Sequence, residues 1–112
     1  CDYITVSSGG LSPAQKVPIG EGHQVELAAR IRRDADIPVI AVGMIYRPKH
    51  AEEIIADGHA DMVALARGML FDPHWTWRAA AELGAQVPFP PQYVRAYKSS
   101  WLQAQATGGD GE

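Results

Sequence analysis

Three short apolar, β-branched runs recur along the chain, and each leads into a stretch with helical spacing. The runs are Asp2-Tyr3-Ile4-Thr5-Val6-Ser7, Ile37-Pro38-Val39-Ile40-Ala41-Val42 and Asp61-Met62-Val63-Ala64-Leu65-Ala66. A strand with one wet face alternates apolar and polar residues. These do not, so they read as parallel strands buried on both faces. Small residues close each run: Ser8-Gly9-Gly10, Gly43 and Arg67-Gly68. Val25, Ala28 and Ile31, widened by Leu27, form a helical stripe within residues 21–34, and Ala51, Ile54 and Ile55 form another within 48–57. Pro48 suits a first helical turn and Gly58 the position after a helix end. A third helix is expected from Asp72-Pro73, with Asp72 as its cap, Thr76, Ala79, Ala80 and Leu83 on one face, and Gly84 as its stop. The order is β-α-β-α-β-α, with right-handed crossovers.

Three parallel units leave two sheet edges open, each inviting another strand. The chain therefore reads as part of a larger α/β architecture, either a doubly wound sheet or a (β/α)8 TIM barrel. The polar and glycine residues gather at the C-terminal ends of the strands, which favours the barrel. Residues 1–84 make the three β/α units, 85–101 a C-terminal arm and 102–112 a flexible tail. Pro88, Pro90 and Pro91 keep the segment to Gln92 extended, and residues 93–101 read as a short helix or an ordered aromatic arm. A first residue that is Cys rather than Met hints that the chain starts partway through a longer product.

Composition narrows the function. With 112 residues, 46% apolar and 21% charged, the chain is globular rather than disordered. Thirteen acids against ten Lys+Arg give a formal charge of −3, which argues against a nucleic-acid surface. No apolar run approaches the roughly 20 residues that span a bilayer, and no charged-then-apolar leader opens the sequence. The single cysteine makes no internal disulfide, so a reducing cytoplasm is the expected compartment.

Among residues that carry chemistry, Ala66-Arg67-Gly68 stands first. An arginine directly after a buried strand, followed by glycine and a helix start, brings a fixed cation and free backbone N–H groups together. That pattern suits a phosphate; the alternative is a surface salt bridge to Asp72 or a neighbouring acid. Ser7-Ser8-Gly9-Gly10 lets a ligand approach the backbone closely or is simply a tight turn. A nucleophilic serine is not expected there, because the G-x-S-x-G elbow is absent. Gly43 marks a ligand lying on the backbone or a plain strand end. His23, His50, His59 and His74 lack metal-ligand spacing, so no metal site is expected, and His50 and His59 read as surface residues. Trp75 and Trp77 read as packing anchors. Arg95 is either a solvated arginine on the arm or a residue reaching across a subunit boundary.

Together these motifs resemble the old yellow enzymes. The ordered set is Ile4-Thr5-Val6-Ser7-Ser8-Gly9-Gly10, Ala41-Val42-Gly43-Met44-Ile45, Ala60-Asp61-Met62-Val63, and Ala66-Arg67 followed by Asp72-Pro73. It is most similar to the bacterial thermophilic-like branch of NADPH dehydrogenases and xenobiotic reductases, and Pro91-Gln92-Tyr93-Val94-Arg95 resembles the C-terminal arm of that branch. The resemblance implies the C-terminal three units of a (β/α)8 barrel plus the arm. It places Ser8 and Gly10 near FMN, and Gly43 and Arg67 at its phosphate with the backbone of Ala66 and Arg67. It sends Arg95 into a neighbouring subunit's active site, implying a homodimer or homotetramer. The implied reaction is hydride transfer from NADPH or NADH to FMN and on to the activated C=C bond of an enone. The position before the phosphate arginine, often glycine in this branch, is Ala66 here. The family's redox-tuning cysteine or threonine, substrate-binding histidines and proton-donating tyrosine belong to earlier strands, so no catalytic residue is expected in this segment. Two other readings remain: a different phosphate-binding TIM-barrel enzyme, and a non-catalytic half-barrel that associates with another chain.

Overall fold

The computed structural model describes residues 1–96; the expected tail and the end of the arm lie outside the described residues. The three runs form one parallel sheet of β1 (Ile4–Val6), β2 (Val39–Val42) and β3 (Met62–Ala64), in the order β1-β2-β3. Register is in step along the sheet: Val6 lies opposite Ala41, and Val42 opposite Ala64. The C-terminal ends of all three strands therefore open onto one edge. The connecting helices are α1 (Val25–Ala35) and α2 (Pro48–Ala56). Beyond β3 come α3 (Arg67–Phe71), α4 (Trp75–Leu83) and a 3-10 helix (Pro91–Ala96).

The expected burial on both faces holds for one face only. Val39 and Ala41 face the helices, whereas Ile40 and Val42 on the other face of β2 are only partly buried, and burial falls away further at the rims. Val39 and Ala41 are fully buried, while Tyr3, Ile4 and Met62 stay exposed, because β1 and β3 each have a neighbour on one side only. The core joins Val6, Val39 and Ala41 to Ala28, Ala51, Ile54, Trp75 and Ala79 from the helices. Small residues on α1 and α4 let both helices approach closely, and the Trp75 indole fills space beneath the β2–α2 loop, donating its Nε1–H to the Tyr46 carbonyl at 2.6 Å.

Several expectations need correction. α1 starts at Val25, not Glu21; residues 21–24 are a turn in which Glu21 is tied up in an ion pair. Leu27 and Ile55 are exposed, so the buried faces of their helices are narrower than the apolar stripes. Asp72 does not cap the third long helix. That helix begins at Trp75 with His74 at its N-cap position, and the Asp72 carboxylate instead receives Arg78 Nε at 2.7 Å. Its buried face is Trp75, Ala79 and Ala80, leaving Thr76 and Leu83 outside. α3 was not expected: Arg67 and Gly68 open a helix rather than a loop. Pro91 starts the 3-10 helix, where its missing N–H costs nothing, so the extended segment ends before it. Trp77 stacks on His74 with ring centroids 4.4 Å apart and meets Phe89 edge-on and Tyr93 at a tilt, tethering this segment to α4. His50 is half-buried against the Glu21 carboxylate rather than a free surface residue.

The sheet's opposite edge is closed by charge. Arg32 near the end of α1 holds both oxygens of Asp61 at 3.2 Å and donates to the Gly58 carbonyl, while Asp61 accepts the Val39 N–H at 2.9 Å. These donors, Arg32 first and the Val39 N–H second, hold the Asp61 carboxyl below its ordinary value of 3.8. A depressed folded-state pKa contributes stability above the ordinary value that is lost as pH falls through the folded one. Acid unfolding followed by circular dichroism should therefore show a shallower loss of stability below about pH 3.8 in Asp61→Asn than in the wild type. The core makes a sharper contrast: Ile54→Ala should cost about 2–5 kcal/mol in urea unfolding, whereas Ile55→Ala, exposed on the same helix, should stay within about 0.5 kcal/mol.

Candidate functional site

The residues singled out at the strand ends come together along the C-terminal edge of the sheet. Ser8 and Gly10 follow β1, Gly43 follows β2, and Ala66 and Arg67 follow β3. A cleft of about 360 Å³ opens between the last two ends, lined by residues 42–46 and 64–68 and by Phe71. Its walls are mostly apolar or backbone, and Arg67 is its cation. Arg67 has no carboxylate partner among the described residues, since Asp72 pairs with Arg78 and Glu21 with Arg47. The salt-bridge alternative to Asp72 is thereby excluded. The N–H groups of Arg67 and Gly68 belong to the first turn of α3, where no intrahelical carbonyl reaches them.

Close approach of backbone explains two glycines. A side chain at Gly68 would press on Leu65 Cδ2 at 3.2 Å and reach Tyr46 Cβ at 3.7 Å, so glycine lets α3 lie against the β2–α2 loop. At Gly43, φ is +122°, and a Cβ would meet Gln24 Nε2 at 2.6 Å and His23 Cε1 at 2.9 Å. Gly10, by contrast, faces open space.

Gln24 is the residue that sequence reasoning missed. It is the buried polar side chain among the described residues, only 5% exposed. Its Oε1 accepts the Ser8 N–H and the Ser8 hydroxyl, the latter at 3.0 Å, with the Ser7 hydroxyl more distant at 3.5 Å. Its Nε2 donates to the Val42 carbonyl at 2.9 Å. Beside it, the Glu21 carboxylate takes Arg47 Nε at 2.6 Å and Nη2 at 3.0 Å, and His50 Nδ1 lies 3.2 Å from the same carboxylate without hydrogen-bond alignment. The Arg47 hydrogen bond is the main reason the Glu21 carboxyl sits below its ordinary range. Arg47, next to the cleft residue Tyr46 in sequence, is thus neutralised, while Arg67 in the cleft has no carboxylate partner among the described residues.

Arg95 is exposed on the 3-10 helix and does not line the cleft. Among the described residues no group of His, Cys, Asp or Glu is arranged to hold a metal ion. No helix among them is long and apolar enough to cross a membrane.

The model of the NADH:flavin oxidoreductase / NADH oxidase family matches residues 2–86. The chain belongs to that family. Relatives agree: it is 43% identical over 97 residues to an NADPH dehydrogenase of Geobacillus thermodenitrificans (strain NG80-2), covering 87% of this chain and 28% of the relative. An NADPH dehydrogenase of Geobacillus sp. (strain WCH70) is 45% identical with the same coverage, and one of Bacillus subtilis (strain 168) is 41% identical over 96 residues. The chain spans 28% of the length of the curated relatives it matches. The resemblance to the old yellow enzymes is borne out, and three parallel units in sequential order are consistent with part of the family's TIM barrel.

Gly43 is the most demanding position of this flavin oxidoreductase segment. Gly43→Ala combines a left-handed backbone with a Cβ driven into the Gln24 amide, so it should lose about 1–3 kcal/mol in urea unfolding. Gly10→Ala, with the same sign of φ but open space, should lose less.

Proposed function

We propose that this chain is the C-terminal three units of a (β/α)8 barrel in an FMN-dependent NAD(P)H oxidoreductase, and that its cleft holds the phosphate end of FMN. The observation that carries this reading is Arg67: a guanidinium without a carboxylate partner among the described residues, on a cleft whose backbone is laid open by Gly43 and Gly68. Arginine's planar fork matches phosphate oxygens, and the N–H groups at Ala66-Arg67 add donors beside it. The residues present fit the group: an anion has one uncompensated cation to meet, and the cleft's apolar walls suit the rest of a flavin. Ser8 and Gly10 lie along the same edge, where Ser8's amide is fixed by Gln24 and Gly10 leaves room for a flat ring system.

When bound, FMN supplies the hydride relay between NADPH or NADH and the activated C=C bond of an enone. This chain's own part is to bind the phosphate, orient one edge of the cofactor and shield it with Phe71 and the apolar strand ends. It supplies no proton donor to the reaction, so the segment by itself does not turn over an enone. Arg95 extends the reading to a homodimer or homotetramer, in which the exposed arm enters a neighbouring subunit's active site. The lone exposed thiol of Cys1 suits a cytoplasmic protein.

Titrating the protein with FMN and following the quenching of flavin fluorescence tests the phosphate assignment. Arg67→Ala should weaken FMN binding about ten- to hundredfold, as expected for a charge-assisted hydrogen bond. The same substitution should leave the affinity for riboflavin, which lacks the phosphate, unchanged. Equal FMN affinity in variant and wild type would sink the assignment.

A further inference from the structure

Gln24 occupies the N-cap position of α1, yet its side chain makes no capping hydrogen bond to that helix. Ser, Thr, Asp and Asn serve that position well and glutamine poorly. Its amide reaches instead across to the ends of two strands, accepting from Ser8 after β1 and donating to the Val42 carbonyl at the end of β2. The orientation of the amide follows from its partners. A backbone N–H must meet the oxygen and a carbonyl must meet the NH2 group, so a flipped amide would lose both bonds. Gly43, directly after Val42, is the residue whose missing Cβ makes room for Nε2.

We propose that Gln24 is a positioning residue for the flavin: one buried amide locks the Ser7-Ser8 turn to the Val42-Gly43 turn and so sets the spacing of the two strand ends that face the cofactor. The inference rests on the flavin reading above and adds to it a residue that touches neither phosphate nor ring. A cap-only role would be served within α1, whereas the bonds observed all leave it. A role limited to filling space would require no donor on one side and acceptor on the other. Leaving either Ser8 N–H or the Val42 carbonyl without its partner beside the buried Gln24 amide, in a site only partly open to water, is costly, and the turn carrying it would shift.

The chemistry of the clasp supplies its own test. Glutamic acid in its protonated form is nearly isosteric with glutamine and can both donate to Val42 and accept from Ser8; ionised, it only accepts. Burial favours the neutral form and raises the pH at which the switch occurs. His23 is the neighbouring titratable group, with Nδ1 3.0 Å from the Gly20 carbonyl, and Glu21, Arg47 and His50 are the charged or titratable groups beyond it. All of these are present in the wild type and in Gln24→Ala, which therefore report their contribution.

FMN affinity of the wild type, Gln24→Glu and Gln24→Ala is to be measured at pH 5 and pH 8, with the Ser8 amide resonance followed by NMR without flavin. Gln24→Glu should bind as the wild type does at pH 5 and about tenfold more weakly at pH 8. Gln24→Ala should be weak at both, and the Ser8 resonance of Gln24→Glu should move over the same pH range as its affinity. A wild type that binds FMN while both variants match it at both pH values would overturn this inference alone. A wild type that binds no FMN would overturn the flavin reading and the positioning role with it, whereas the Ser8 resonance would still report the clasp.

Discussion

Everything at this site depends on β2 being paired in parallel on both sides. Because Val6 faces Ala41 and Val42 faces Ala64, three separate strands end at the same height, and three loops are delivered to one edge. A slip of one residue would turn Val39 and Ala41 out of the core and break that alignment. Their complete burial, against Ala28 on one side and the α2 residues Ala51 and Ile54 within the same core, is what forbids the slip. The register is therefore a hydrophobic decision with a chemical result.

The two edges of the sheet are then treated differently. The edge carrying Asp61 is closed by ionic and backbone bonds that involve Arg32, Gly58 and Val39. The other is kept open, with one guanidinium compensated by Glu21 and another left available. Apolar support for the open edge comes from behind: the Trp75 indole, anchored in α4, holds the carbonyl of Tyr46 where the β2–α2 loop turns over the cleft. Rigid elements thus carry the loops, and the loops carry the groups of the candidate site.

Much of this was legible in the residues themselves. Continuous β-branched runs located all three strands, and Pro48 marked the start of α2 to the residue. What escaped has physical causes. α3 is five residues long, too short for a period to register, and its Arg67-Gly68 start reads as a loop. Asp72-Pro73 carries a genuine cap signature, but Arg78 six residues on competes for the carboxylate and wins. Ile55 and Met62 have apolar side chains without cover among the described residues, so pattern overstates their burial. Gln24 was missed because a single glutamine beside a helical stripe has no motif. The available signal was a polar residue with poor capping ability placed where a cap belongs. Of the candidate site, Arg67 was legible as a cation directly after a strand, whereas Ser8, Gly10 and Gly43 read equally as turn or strand-end residues and came to the site only through the family resemblance. The bond network that aligns them depends on contacts distant in sequence.

Sequential strand order has a consequence for how such a sheet is made. Each strand pairs only with its neighbour in the chain, β1 with β2 and β2 with β3, and no crossover skips a place. A growing chain can therefore add units in the order in which they leave the ribosome, each new strand docking on an edge that already exists. The C-terminal edge is assembled last in each unit, when the loop after the strand closes, so its turns mature in step with the sheet rather than after it. Quality control of the nascent protein would then meet partly built edges, not scrambled ones, and the bare rim of the most recent strand is the surface it would have to shield.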